Sequence, residues 1–281
     1  MGKVALINDL SGFGRCSLTV AMPVLSVMGH QCCPLPTALL SNHTGYESYT
    51  FTDCTAQMRP IMKEWQKLKL TFDGIYTGFL GSAEQIDISV KFLETFGDGA
   101  LKVVDPVMGD HGKPYPTYTL QMQREMARLA HHADVLTPNL TELCILLGEP
   151  YPEGQLSPKI LQEMIAALSS QAGRFAVLTG LSHATCAGVP KDEVVNLGYD
   201  KQTGQFFRVS EKRIPRAYAG TGDLFASVLC GKMMQGASFE RAVSAAADFV
   251  SDAAALTFRQ NGGEQDGMVF EPLLYRLGGT L

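Results

Sequence analysis

Short apolar runs and longer amphipathic ones alternate along the chain. Lys3–Ile7 reads as a buried strand running into the polar turn Asn8-Asp9, and Arg15–Met28 as a helix closed by Gly29. Gln31–Pro36 has a short strand's pattern, weakened by Pro34 and Pro36. Helical spacing follows over Thr55–Leu68, Ala83–Phe96, Leu120–His132, Leu140–Leu147 and Pro158–Gln171. Strands are expected between them at Gly74–Thr77, Leu101–Val104, Asp134–Leu136 and Phe175–Leu178. Repeated strand–helix alternation predicts a mainly parallel sheet covered on both faces. Between Glu193 and Val209 two alternating runs flank Asp200-Lys201-Gln202-Thr203-Gly204, a hairpin signal that adds antiparallel edge strands. Two long helices close the pattern, Asp223–Met234 stopped by Gly236 and Phe239–Leu256 capped by Ser238. No internal repeat interrupts this order, so residues 1–281 are expected to form one α/β domain.

In such sheets ligands bind outside the carboxyl ends of the strands. The polar and glycine-rich punctuation of this chain falls there: Asn8 to Gly14, Thr77-Gly78, Asp105 to Gly112, Thr137 to Glu142, Thr179-Gly180 and Ala219 to Asp223.

Composition narrows the classes. Hydrophobic residues make up 46% and charged residues 18%, an ordinary globular balance. The net charge of −5 and the lack of a basic run argue against a nucleic-acid surface. The apolar part of Met1–Ile7 is too short for a signal peptide, and the longest candidate span, Ala242 to Leu256, carries Asp248 and Asp252. Seven cysteines without a CxxC pair suit a reduced, cytoplasmic chain, with Cys32-Cys33 as buried small hydrophobes.

The sharpest chemical signal is Ala219-Gly220-Thr221-Gly222-Asp223 at the start of a helix. Two glycines let backbone approach a ligand closely, and the helix N-terminus turns free N–H groups and positive dipole toward an anion. Asp223 beside that cradle is placed to accept a proton from an attacking hydroxyl. The plainer alternative is a carboxylate favouring its own helix N-terminus. Asp105-Pro106-Val107-Met108-Gly109-Asp110 sets two carboxylates in a strand-end loop, suited to a cation beside polyphosphate or to a solvated turn. Glu142, in the first turn after Thr137-Pro138-Asn139, is a candidate Mg²⁺ ligand, with Asn139 capping as the alternative. Ser11, Asn42, His43, Thr44 and Gly45 are polar groups that suit a small polar ring, or a plain loop; His131-His132 suit a helix end better than a metal.

Competing motifs fail. There is no GxxxxGK[ST], Ser17 stands where a dinucleotide fingerprint beginning at Gly12 needs glycine, and Ala184 breaks the nucleophile-elbow pattern begun at Gly180.

Taken in order, Ser11, Leu40-Ser41-Asn42-His43-Thr44-Gly45-Tyr46, Tyr76-Thr77-Gly78-Phe79, Asp105 to Asp110, Thr137 to Glu142 and Gly220 to Phe225 resemble the ribokinase superfamily, and within it the pyridoxal kinase branch. The resemblance covers nearly the whole chain. It implies a three-layer α/β/α kinase and transfer of the ATP γ-phosphoryl group to the 5′-hydroxymethyl of pyridoxal, pyridoxine or pyridoxamine. By that resemblance Ser11, Thr44 and Phe79 contact the ring, with Phe79 stacking on it. Asp105, Asn139, Thr179, Gly180 and Thr221 line the nucleotide site. Asp110, Thr137 and Glu142 surround Mg²⁺ and a monovalent cation, K⁺ or Na⁺. Gly220, Gly222 and Asp223 form the anion hole and base. The loop His111–Tyr118 closes over ATP, with Tyr115 or Tyr118 touching the nucleotide, and the molecule is a homodimer. A hydroxymethylpyrimidine kinase, a non-catalytic vitamer-binding protein and, on the incomplete glycine pattern alone, a nicotinamide-dependent oxidoreductase are the competing readings.

Overall fold

The computed structural model describes residues 2–278. Eleven strands and eight α-helices follow in chain order among these residues. They begin with β1 (Lys3–Ser11), α1 (Ser17–Val27), β2 (Gln31–Leu40), β3 (Phe51–Asp53), α2 (Thr55–Lys67), β4 (Gly74–Thr77), α3 (Ala83–Phe96) and β5 (Leu101–Val104). Next come a small hairpin of β6 (Gly109–Asp110) and β7 (Lys113–Pro114), then α4 (Leu120–Ala130), β8 (Val135–Leu136), α5 (Leu140–Leu147) and α6 (Pro158–Gln171). The chain continues through β9 (Phe175–Ser182), β10 (Glu193–Asp200), β11 (Gln205–Lys212), α7 (Thr221–Met234) and α8 (Phe239–Arg259), then a 3-10 helix, Glu271–Arg276.

Nine strands form one sheet in the order β11-β10-β9-β8-β5-β4-β1-β2-β3. The six strands from β9 through β2 run parallel, while β3, β10 and β11 add antiparallel edges. The predicted hairpin is therefore present, and β3 closes the other edge. Alternation along β1 explains the layers. Ala5 and Ile7 pack into a core with α2, α3, α4, α5 and α6, whereas Val4 and Leu6 pack into a second core with α1, α7 and α8. Both faces are covered, as the continuous apolar strands require.

β1, β2 and β9 run on past their expected ends, to Ser11, Leu40 and Ser182. β1 runs four residues beyond Ile7, because Asn8, Leu10 and Ser11 stay paired with β2 through a register shift. β2 tolerates Pro34 and Pro36 because residues two apart turn their missing donors to the same side, and β3 pairs only from Ala38 onward. Cys32 and Cys33 are half-buried rather than fully buried, and no disulfide forms among the described residues. No described helix is long and apolar enough to cross a membrane.

The core under α3 is aromatic. Phe92 is fully buried, its ring centroid 4.7 Å from Phe96, 5.8 Å from Phe72 and 6.0 Å from Trp65. Phe92→Ala is expected to cost about 3–5 kcal/mol, read from the urea midpoint, because the remaining rings cannot collapse into the void.

The sheet order reverses between β1 and β4. From β1 the chain moves outward to β2 and returns to β4 on the other side. The carboxyl ends of these two strands, Asn8–Ser11 and Thr77–Phe79, thus flank the switch point where such sheets open a crevice.

Candidate active site

A cavity of about 1270 Å³ opens over those strand ends. That exceeds the roughly 300–1,000 Å³ of a typical single-ligand pocket, leaving room for two substrates. Asp105, Asp110, Tyr115, Thr137, Asn139, Glu142, Thr179, Gly180, Gly220, Thr221, Gly222, Asp223, Thr44 and Phe79 all line it. Ser11 does not. It is fully buried and donates its hydroxyl to Asp9 Oδ2 at 2.9 Å. Asp9, Cys16 and Ser17 form that stretch of wall instead, and Ser17 donates to the other oxygen of Asp9.

Side chains of Ser82, Thr119, Asn139, Ser157 and Ser238 cap α3, α4, α5, α6 and α8, whereas α7, like α1 and α2, has no side-chain hydrogen bond at its N-cap. Its N-cap is Gly220 at φ 73°, and Thr221 and Gly222 are exposed to the cavity. The first-turn N–H groups are left for a ligand, and the helix dipole makes that ligand an anion.

Asp223 stands in this first turn, half-buried. Its Oδ1 accepts from the Asn8 side-chain amide at 3.2 Å and from the Tyr76 hydroxyl at 3.5 Å. Burial raises its pKa to about 6; Asp9's charge adds to the rise, and donors from the Ser17 backbone, Asn8 and Tyr76 oppose it. Such a carboxylate is ionised at neutral pH yet basic enough to accept a proton. Burial pushes the Tyr76 phenol far above its ordinary range, so it remains a donor.

Opposite lies the acidic wall. Asp105 accepts from Thr137 Oγ1 at 2.8 Å, and one of its oxygens lies 3.7 Å from where a side chain on Gly222 would begin. Burial and then the charge of Asp223 raise its pKa, against the Thr137 hydrogen bond. Glu142 accepts from the backbone N–H groups of Met108 at 3.1 Å and Asn139 at 2.8 Å, and Asn139 accepts in return from Glu142 N–H at 3.0 Å. This reciprocal cap holds the start of α5 and coexists with the place of both residues on the cavity wall. Burial and then Asp105 push the Glu142 carboxyl well above its usual range. Asn139 also donates to the Gly109 carbonyl at 2.8 Å, tying α5 to the β6–β7 hairpin.

That hairpin occupies the segment expected as a loop. His111 and Gly112, at φ 50° and 76°, make its tight turn, and Thr141 Oγ1 accepts from Gly112 N–H at 2.9 Å. Tyr115 lines the cavity, whereas Tyr118 is buried away from it with its hydroxyl unpartnered. Of the run Asn42 to Tyr46, His43, Thr44 and Gly45 line the cavity. His43 Nδ1 accepts from Gly45 N–H at 3.1 Å, which leaves Nε2–H to donate to the Gln265 carbonyl at 2.6 Å. Tyr46 donates to Asp266 Oδ1 at 2.7 Å, so these two residues fasten the loop to the segment before the last turn. Lys212, Arg213 and Arg216 also line the cavity, three cations that no motif announced.

The sequence profile described as phosphomethylpyrimidine kinase matches residues 27–268. The chain belongs to the phosphomethylpyrimidine kinase family. Within reach of this family, a pyridoxine/pyridoxal/pyridoxamine kinase of Bordetella avium (strain 197N) is 31% identical over 259 residues, 87% of this chain and 82% of the relative. A Bacteroides thetaiotaomicron VPI-5482 protein whose working name is phosphomethylpyrimidine kinase, crystallised with pyridoxal, superposes with TM-score 0.93 at 40% identity, covering 99% of this chain and 96% of that one. Pyridoxal kinase from Lactobacillus plantarum superposes with TM-score 0.89 at 30% identity, covering 99% and 96%. The fold of this phosphomethylpyrimidine kinase family member is thus the ribokinase-like one expected from the motif order.

Proposed function

We propose that this chain transfers the γ-phosphoryl group of ATP to the 5′-hydroxymethyl of pyridoxal, pyridoxine or pyridoxamine. The observation that carries the reading is Asp223 standing in the first turn of an uncapped helix at the cavity wall. Asp223 takes the hydroxyl proton as the oxygen attacks phosphorus. The N–H groups of Gly220, Thr221 and Gly222 hold the travelling phosphoryl oxygens, and Lys212, Arg213 and Arg216 offset their charge. Phe79 stacks on the ring and Thr44 contacts its substituents. The ring contact expected of Ser11 passes to Asp9 and Ser17, which line the cavity wall where Ser11 does not. Asp105, Asn139, Thr179, Gly180 and Tyr115 receive the nucleotide, and closure of the segment His111–Tyr118 excludes water.

Mg²⁺ takes hard oxygen donors and uses one or two carboxylates plus substrate phosphates, keeping several waters. The donors here fit. After burial, the charge of Asp105 raises the proton affinity of Glu142 and that of Asp223 raises the proton affinity of Asp105, a crowding of negative charge that a cation carried by polyphosphate relieves. Asp110, Thr137 and Glu142, with Asp105, would hold the Mg²⁺ and a neighbouring K⁺ or Na⁺, shielding phosphate charge during transfer. The reading further assigns a cytoplasmic homodimer with one domain per chain.

The family description supports a second acceptor, hydroxymethylpyrimidine, a ring of similar size. A panel of pyridoxal, pyridoxine, pyridoxamine, hydroxymethylpyrimidine and ribose with Mg-ATP separates these. Higher kcat/KM with a B6 vitamer is expected. Turnover of the pyrimidine or ribose alone rejects the assignment, and vitamer binding without ADP release rejects catalysis.

A further inference from the structure

We propose that Asn8 is a positioning residue that fixes the base Asp223 and the ring-facing residue Phe79 relative to one another. This rests on the kinase reading above.

Asn8 is fully buried at the β1 end of the switch point. Its Oδ1 accepts from the backbone N–H groups of Phe79 at 2.8 Å and Asp9 at 3.0 Å. Backbone N–H groups only donate, so this orientation of the amide is dictated. The NH₂ group therefore has one direction left, and it donates to Asp223 Oδ1 at 3.2 Å. The approach is close: a side-chain carbon on Gly78 would lie 2.3 Å from Asn8 Nδ2. Phe79 is held from the other side by Thr37, which donates to its carbonyl at 2.9 Å. One amide thus spans β1, the strand end of β4 and the first turn of α7.

Burial of the amide requires partners at both its oxygen and its NH₂ group, a need that any acceptor would meet at the NH₂ end. Donation to the reacting carboxylate has a different consequence: it favours the charged, proton-accepting form of Asp223 and aims one oxygen away from the acceptor alcohol. Losing that donor raises the proton affinity of Asp223, so the acid limb of the rate profile moves to higher pH.

Two variants separate the amide's ends. Asn8→Asp keeps an acceptor for Phe79 and Asp9 while replacing the donor with a second carboxyl oxygen. Asn8→Ala removes both ends. In Asn8→Asp, kcat is expected to fall about 10- to 10²-fold with vitamer KM nearly unchanged; in Asn8→Ala, KM rises as well, because Phe79 loses its anchor. The acid limb should move up in the order wild type, Asn8→Ala, Asn8→Asp. Should the alanine variant not fold, the aspartate variant still reads the donor. Carbon-13 NMR titration of the aspartate carboxyls, with Asp223 identified by its loss in Asp223→Asn, follows the same shift without turnover. An Asp223 titration unmoved in Asn8→Asp overturns the inference, even if wild-type protein phosphorylates pyridoxal. Absent wild-type turnover with a shifted titration rejects the kinase reading and leaves the Asn8–Asp223 coupling standing.

Discussion

Asp223→Asn is expected to lower kcat with pyridoxal and Mg-ATP by about 10²–10⁴-fold while pyridoxal still binds. The substitution preserves shape and keeps an oxygen for the Asn8 and Tyr76 donors that hold the side chain. What it removes is the ability to accept a proton. The wild-type pH profile should show the same group. Burial sets the Asp223 pKa at about 6, so the base is protonated below that pH and ionised above it. The kcat/KM of the wild-type protein should therefore fall about tenfold per unit below pH 6 and level off above it. The residual rate of the variant should lack that limb. Steady-state rates across pH, paired with calorimetry of pyridoxal binding, measure both effects. Near-normal turnover in the variant removes Asp223 as the base; lost binding as well as turnover reassigns it to substrate recognition.

Much of this site is legible in the sequence because its parts sit at strand ends, where polar and glycine residues stand out against apolar runs. Gly220 to Asp223, Asp105, Thr137 and Glu142 were all visible that way, and they converge on one cavity. Asn8 and Asp9 stand in the same polar punctuation but read as a turn, which ends the strand at Ile7 and puts the ring contact at Ser11. Pairing with β2 instead carries β1 on to Ser11 and buries all three polar residues. The cost of burying them is offset by hydrogen bonds among themselves, to Ser17 and, across 71 positions of sequence, to Phe79. The β6–β7 hairpin was hidden by its size and by His111 in a left-handed turn position that glycine or asparagine more often announces. Lys212, Arg213 and Arg216 carry no spacing signal; only the turn from β11 toward α7 brings them to the wall.

Gly220→Ala is expected to be the most damaging single-methyl change in the chain. The residue sits at φ 73°, a left-handed conformation that alanine adopts only with strain. Space is the harder limit. An added carbon would lie 1.9 Å from the Arg15 carbonyl oxygen and 3.2 Å from Cys16 Cα, both backbone atoms. That backbone is itself pinned, since Arg15 N–H donates to the Asp266 carbonyl at 3.1 Å. Either the start of α1 or the start of α7 must move. Strain and overpacking together should cost about 2–5 kcal/mol of stability. Moving the first turn of α7 by even an ångström misplaces the phosphoryl cradle and Asp223 at once, which lowers kcat by about 10²-fold or more in the molecules that remain folded. Gly222→Ala is the comparison. Its added carbon meets nothing nearer than Asp105 Oδ2 at 3.7 Å, and alanine favours a helix over glycine, so its melting temperature should be unchanged or raised. Thermal melts of both variants, with kcat corrected for the folded fraction, decide the matter. A Gly220→Ala protein as stable and active as wild type would mean that α7 does not need its left-handed start, and the phosphate cradle would have to be sought elsewhere on the cavity wall.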